Sequence, residues 1–169
     1  MSAASFSNDS KKVVTGSHDR SLKFWDLVKG GCIKTSICFS SCNDLDIETD
    51  VVISAHFDGL VRIWDMRSGN MTEDVTVSQQ QQQITSVNIS PDTNYFLTNC
   101  KDGVLKIFDS RKHAELFRYT SPDYKNTIGW NKACFSPDGK FIAVGSSNGS
   151  VLVWDVQTQK LESTLRGHR

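Results

Sequence analysis

The chain has 169 residues, and its 19 Lys and Arg balance 19 Asp and Glu, so the formal net charge is zero. That length suffices for the core of one domain, and the balanced charge argues against a nucleic acid or an acidic membrane surface as the partner. No apolar run approaches the ~18 residues of a membrane span, and the opening MSAASFSNDS has neither the basic nor the apolar part of a secretory leader.

The first short strand ends at Phe6, and a second unit of alternating apolar residues, Leu22 and Phe24, runs into Trp25-Asp26. A further strand is predicted at Cys32–Ser36. The pattern returns with Leu45, then His56-Phe57-Asp58, then Val61 and Ile63 before Trp64-Asp65, with a last strand at Met71–Val77. The acidic set Asp44, Asp46, Glu48 and Asp50 reads as a solvated loop. The five-Gln run Gln79–Gln83 reads as a polar spacer. A third pass gives Ile89, Asp102, Leu105, Ile107 and Phe108-Asp109, with a strand at Glu115–Tyr119. Thr120–Gly129 is a longer link, broken by Pro122 and Asn126. The fourth pass is the clearest. Ser136-Pro137-Asp138-Gly139 is a turn, Phe141–Val144 a strand, Ser147-Asn148-Gly149 a tight hairpin turn, and Val151–Trp154 a strand covered on both faces. Leu161–Leu165 is the last predicted strand.

Aligned on the turn residues Asp19, Asp58, Asp102 and Asn148, the four passes fall into columns spaced 39, 44 and 46 residues apart. Six positions later stand Trp25, Trp64, Phe108 and Trp154, each followed by Asp. One position before the anchors stand His18, Phe57, Lys101 and Ser147. These repeats resemble WD40 repeats, whose period is ~40–45 residues and whose motif ends in Trp-Asp. The resemblance implies an all-β fold, a WD40 β-propeller with four blades, in which residues 1–169 form a partial propeller. The repeats span about 2–27, 41–66, 84–110 and 130–156. WD40 rings commonly have about seven blades by the same resemblance. Gly167-His168 has the letters that open a further repeat. Four repeats therefore read as part of a larger ring, whose open blade edges would favour self-association.

Finer features narrow the resemblance. Gly16-Ser-His-Asp-Arg, Trp25-Asp-Leu27, Cys32-Ile-Lys-Thr35, Ser41-Cys-Asn-Asp44, His56-Phe-Asp58 and Phe135-Ser-Pro-Asp-Gly139 resemble the C-terminal propeller of the autophagy-related protein sixteen family. What that implies is a cytoplasmic, non-enzymatic interaction scaffold, recruited to autophagosome precursor membranes. Its expected partners are proteins, namely the conjugation machinery that attaches a ubiquitin-like protein to membrane lipid, or the tails of membrane proteins. The alternative is a WD40 adaptor of an unrelated complex, such as a substrate receptor of a ubiquitin ligase.

The same resemblance implies a partner-binding site at Asn43 and Phe57. The family's third contact, a Lys just before Ile84-Thr85, is Gln83 here. The residues alone also single out Phe57, an aromatic in a column otherwise polar, where exposed aromatics make interface anchors. Asn43 is expected in the preceding inter-blade loop. Asp19, Trp25, Asp58, Trp64, Asp102, Phe108, Asn148 and Trp154 are expected to be structural. In WD40 families an Asp, a Trp, a Ser and an opening His share hydrogen bonds. Asp19–Ser17–Trp25 and Asn148–Ser146–Trp154 are candidates for such sets, with the His missing. Ser17-His18-Asp19 has the letters of a hydrolase triad, but neighbours in one turn cannot line up three side chains, so no catalytic residue is expected. The five cysteines contain no CxxC pair and read as reduced thiols. His18, His56 and His113 show no metal-ligand spacing relative to them, so neither a metal nor a cofactor is expected.

Overall fold

The computed structural model describes residues 1–168 as sixteen strands in four antiparallel four-stranded sheets. The first sheet orders β1 (Ala3–Phe6), β2 (Lys12–Gly16), β3 (Ser21–Asp26) and β4 (Gly31–Ile37). The second orders β5 (Cys42–Glu48), β6 (Val51–His56), β7 (Leu60–Asp65) and β8 (Met71–Thr76). The third comprises β9 (Ile84–Ile89), β10 (Tyr95–Cys100), β11 (Leu105–Asp109) and β12 (Glu115–Tyr119). The fourth comprises β13 (Ala133–Phe135), β14 (Phe141–Gly145), β15 (Ser150–Asp155) and β16 (Leu161–Arg166). Each sheet is a simple meander, in which every strand pairs with its sequence neighbour. No helix occurs among the described residues.

One detail recurs in every sheet. The register between the third and fourth strands slips just before the aromatic column, at Phe24/Trp25, Ile63/Trp64, Ile107/Phe108 and Val153/Trp154. The Asp after each aromatic explains the turn beside that bulge. Asp26 Oδ1 accepts the backbone N–H of Val28 and Lys29 at 2.9 Å each. Asp65 does the same for Arg67 and Ser68, and Asp109 for Arg111 and Lys112. Asp155 takes Thr158 at 2.7 Å. These backbone bonds hold all four carboxyls below the ordinary range.

The anchor column works the same way at the other hairpin. Asp19, Asp58, Asp102 and Asn148 each accept the N–H two residues on, an Asx turn. The next residue has positive φ in all four, Arg20 at 69°, Gly59 at 79°, Gly103 at 79° and Gly149 at 82°. The hairpins are therefore type I turns closed by a left-handed residue, not two-residue loops.

The chain forms two compact units, Met1–Ile84 and Thr85–Arg169. In the first, β1 and β2 lie against β5, burying Val14, Leu22, Phe24, Leu45, Val52 and Trp64 in one cluster. In the second, β13 lies against β10, and Ser86 Oγ and Asn88 Oδ1 accept the N–H groups of Ala133 and Phe135 at 3.0 and 2.9 Å. Leu97, Ile107, Tyr119, Ile142, Leu152 and Trp154 lie in its core.

One sequence expectation is corrected here. Asp44, Asp46 and Glu48 lie on β5 rather than in a loop, and Asp44 is buried. Alternation along a strand placed them, which a run of acidic letters conceals. Thr120–Gly129 contains no strand, as expected of a link, but it is anchored. Tyr124 and Asn126 are both buried, with Tyr124 Oη donating to Asn99 Oδ1 at 2.6 Å. Asn126 Nδ2 donates to Thr85 Oγ1 and to the Cys100 carbonyl at 3.0 and 2.9 Å.

Candidate protein-docking face

In the first unit the turn His56-Phe57-Asp58-Gly59 joins β6 to β7. Two bonds tie it to the segment ahead of β5. Phe57 N–H donates to the Ser41 carbonyl at 3.0 Å, and Asp58 N–H to Ser40 Oγ at 3.2 Å. The glutamine run packs on the other side of the turn. A Cβ at Gly59 would lie 3.1 Å from Gln81 Cα and from the Gln82 carbonyl oxygen, so only glycine fits that contact at positive φ. Phe57 stands at the tip of this braced turn and is 58% exposed.

Beneath it lies a buried polar set. Trp64 Nε1 donates to Ser54 Oγ at 2.8 Å, and Ser54 Oγ pairs with His56 Nε2 at 2.8 Å. The other ring nitrogen, Nδ1, is 3.2 Å from the Ser40 carbonyl. Burial, and then the Arg62 charge, push the His56 imidazole down to about 4. Arg62, itself buried, forks onto Asp58 at 2.7 and 3.2 Å. Burial raises Asp58, but the hydrogen bond and charge of Arg62 outweigh it and hold the carboxyl below its usual range. The turn is thus fixed from below by an ion pair and a neutral histidine.

This geometry corrects the expected hydrogen-bonded sets. Trp25 Nε1 donates to Thr15 Oγ1 at 2.9 Å, not to Ser17, whose Oγ accepts the Asp19 N–H within its own turn. Ser146 Oγ bonds the Asp123 carbonyl and Lys125 N–H. Two residues beyond the partner of each aromatic stand Thr15, Ser54, Thr98 and Val144; Thr15 and Ser54 accept the indole N–H of Trp25 and Trp64, whereas Phe108 has no N–H to donate and Val144 no oxygen to accept one. In the second repeat His56, on β6, completes a set with Ser54 and Trp64 that the sequence reading did not single out. Trp64, Phe108 and Trp154 are each 1–2% exposed. Asp19 and Asp102 cap exposed turns, and Asn148 also donates to the Asp123 carbonyl at 3.0 Å.

Asn43 lies on β5, at the register slip between Cys42 and Asp44, not in the loop before it. It is half-buried, and its Nδ2 donates to the Ile84 carbonyl at 2.8 Å. Cys42 pairs with His56 across the sheet, which puts Asn43 and Phe57 at the same end of it. Gln83 is half-buried beside Ile84. Phe39, which sequence reasoning missed, joins this surface just before Ser40. It is 72% exposed with φ at 62°, a costly conformation for a bulky residue. The only available signal was an apolar ring next to Ser40-Ser41. In the second unit Trp130 is 80% exposed, beyond the Tyr124–Asn126 anchor.

The Ser17-His18-Asp19 turn brings no triad together, since Asp19 Oδ1 is taken by the Ser21 N–H and Oγ at 3.0 and 2.6 Å. Among the described residues, no group of three or more His, Cys, Asp or Glu is placed to hold a metal ion.

A family model described as Nucleolar protein 10-like, N-terminal domain, a β-propeller, matches residues 1–168. Protein tipD of Dictyostelium discoideum is 46% identical over 161 residues, covering 93% of this chain and 26% of that protein. Autophagy-related protein 16 of Arabidopsis thaliana is 34% identical over 159 residues, covering 93% and 31%. The chain thus spans between a quarter and a third of the length of these relatives. Guanine nucleotide-binding protein subunit beta-1 of Nicotiana tabacum, 28% identical over 167 residues, shares the repeat at greater distance. The chain belongs to the β-propeller family that this model describes, and its homologues, built like it from WD40 repeats, are proteins of the autophagy-related protein 16 family.

Proposed function

We propose that the chain is a non-catalytic docking scaffold of the autophagy-related protein 16 type, working in the cytoplasm and at autophagosome precursor membranes. In this reading its four repeats are an arc of a larger ring, and its task is to bring a protein partner to the machinery that lipidates a ubiquitin-like protein. The observation that carries the reading is Phe57, more than half exposed on a turn that Ser40, Ser41 and the Asp58–Arg62 pair hold still. A rigid exposed aromatic anchors a partner without an ordering cost. The resemblance to the family's partner site and the identity to its members support the same conclusion. Asn43 serves as the second contact through its carbonyl side, since its amide already donates to Ile84.

The test is a pulldown from cell lysate with the tagged chain and with Phe57→Ala. Wild type is expected to retain conjugation machinery or a membrane-protein tail, and Phe57→Ala to lose it. Equal recovery by both would place the binding elsewhere. Recovery of ubiquitin-ligase subunits instead would favour an adaptor of an unrelated complex.

A further inference from the structure

The second unit carries a groove of about 830 Å³ on its opposite hairpin side, away from Ser147 and Asn148. Its aromatic lining is Tyr95 and Phe117, both half-buried and packed on the core around Trp154. Its rim is formed by Asp92, Asp138 and Asp155, with Lys140 the cation among the lining residues. These aspartates are the same Ser-Pro-Asp and Trp-Asp residues that build the turns, so their positions are fixed. Asp92 Oδ1 accepts from Ser90 Oγ at 2.6 Å, and Asp138 Oδ1 from Ser136 Oγ at 2.6 Å. Asp155 Oδ1 caps the Thr158 N–H. An ionised carboxylate has about four acceptor sites, and the turns use only part of each.

All three carboxyls are held ionised. Burial raises Asp92, but Ser90 and Asn94 hydrogen bonds bring it below the usual range. The Ser136 bond lowers Asp138, and the Thr158 backbone bond lowers Asp155. Lys140 lies 3.8 Å from Asp138 Oδ2, with both side chains exposed, so it offsets one charge of three. Pro91 and Gly139 flank the mouth, and a Cβ at Gly139 would lie 3.8 Å from Pro91 Cδ. No polar side chain of that pair closes it.

The equivalent turns of the first unit show what a filled arrangement looks like. There Asn8 Nδ2 donates to Glu48 Oε1 at 2.6 Å, joining the first and second sheets across the gap. The repeat is the same, yet in that unit an amide of the chain itself meets the oxygen of Glu48, which stands in the column of Asp92 and Asp138.

We propose that the groove bounded by Tyr95, Phe117, Asp92, Asp138 and Asp155 is a second protein-docking site, which takes a basic peptide segment with an apolar side chain beside its arginine or lysine. The rings receive the apolar side chain, and the carboxylates receive the guanidinium. An aromatic floor with a few fixed polar groups at its edge is the usual build of a peptide pocket. The opposed charges set orientation and rate of encounter.

Fluorescence anisotropy on the full chain tests this, with a short fluorescein-labelled peptide alternating arginine and leucine. The control peptide carries glutamate for arginine. Saturable binding of the arginine peptide is expected, weakening with salt, and absent with the control. Asp92→Asn with Asp155→Asn keeps the turn-capping oxygens and should weaken binding roughly ten-fold, about what loss of 1.4 kcal/mol produces. Lys140→Glu should tighten it, and Phe57→Ala should leave it unchanged. No saturable binding, equal binding of the control, or a double variant that binds like the parent overturns the proposal. If the double variant loses its fold, Lys140→Glu decides, and failure to tighten binding overturns the proposal as well.

Discussion

In the second sheet the Trp64 indole meets Ser54, which meets His56, while Arg62 is locked to Asp58. In the fourth sheet the same columns hold Val144 in place of Ser54 and Leu152 in place of Arg62. Trp154 is held instead by aromatic edges. Tyr119 and Tyr124 lie 6.4 and 6.1 Å from its ring at 61° and 82°. Tyr119 Oη donates to the Val156 carbonyl at 2.8 Å. One scaffold position is thus stabilised by a polar chain in one unit and by ring packing in the other. The polar version occurs beneath the exposed Phe57. A buried network specifies one arrangement but depends on every member being satisfied; an apolar one tolerates change more evenly.

The largest expected effect is common to both. Trp64→Ala and Trp154→Ala should each cost ~3–5 kcal/mol, as for any emptied aromatic site, measured by denaturant unfolding. Trp64→Phe and Trp154→Phe then separate the two sheets. The first loses the bond to Ser54 and should cost about 1–2 kcal/mol more than the second. Equal costs would mean that the Trp64–Ser54 bond contributes nothing.

The polar sheet also responds to pH. His56 in the folded chain sits near 4, against an ordinary value of 6.5. Between those values the unfolded chain binds a proton that the folded chain does not. Its stability contribution is complete above pH 6.5 and is lost as pH falls through that window, by on the order of 3 kcal/mol. His56→Gln should flatten this part of a stability–pH curve. Ser54→Ala should cost ~1–3 kcal/mol, since both the Trp64 N–H and the His56 ring lose a partner.

Cysteine labelling gives a smaller, local check on both units. Cys32 and Cys134 are exposed, whereas Cys38, Cys42 and Cys100 are buried. Burial pushes Cys38 and Cys100 up to about 12. Iodoacetamide on the native chain should modify Cys32 and Cys134 alone, because the thiolate is the reacting form. Rapid labelling of Cys38 would mean that the first unit opens readily.

Much of this was legible in the residues. The anchor and Trp-Asp columns located all four third strands, because period-two alternation and turn chemistry are local. Glu115–Tyr119 came out as β12 residue for residue. The hydrogen-bonded sets were not legible. The acceptors of Trp25 and Trp64 lie on the neighbouring strand, displaced by two residues from the cross-strand partner, and only the register reveals them. Ser17 and Ser146, close in sequence to the turn, were misleading for that reason. The 120–129 segment hid its order because its anchors, Asn99 and Ser146, lie more than twenty residues away on either side. Phe57's exposure followed from its polar column, whereas Asn43's place on β5 depended on a bulge between Cys42 and Asp44 that no local pattern marks. Phe39 had no column at all.

In the proposed function Phe57 is a contact residue carried by a turn that does not need it. The most direct measurement is a paired titration and melting curve for the wild type and Phe57→Ala, using the strongest partner recovered by pulldown. The expected result is an unchanged melting temperature with binding weakened by ~2 kcal/mol, roughly thirty-fold. A melting temperature lowered as far as that of Trp64→Ala, or affinity equal to wild type, would contradict it.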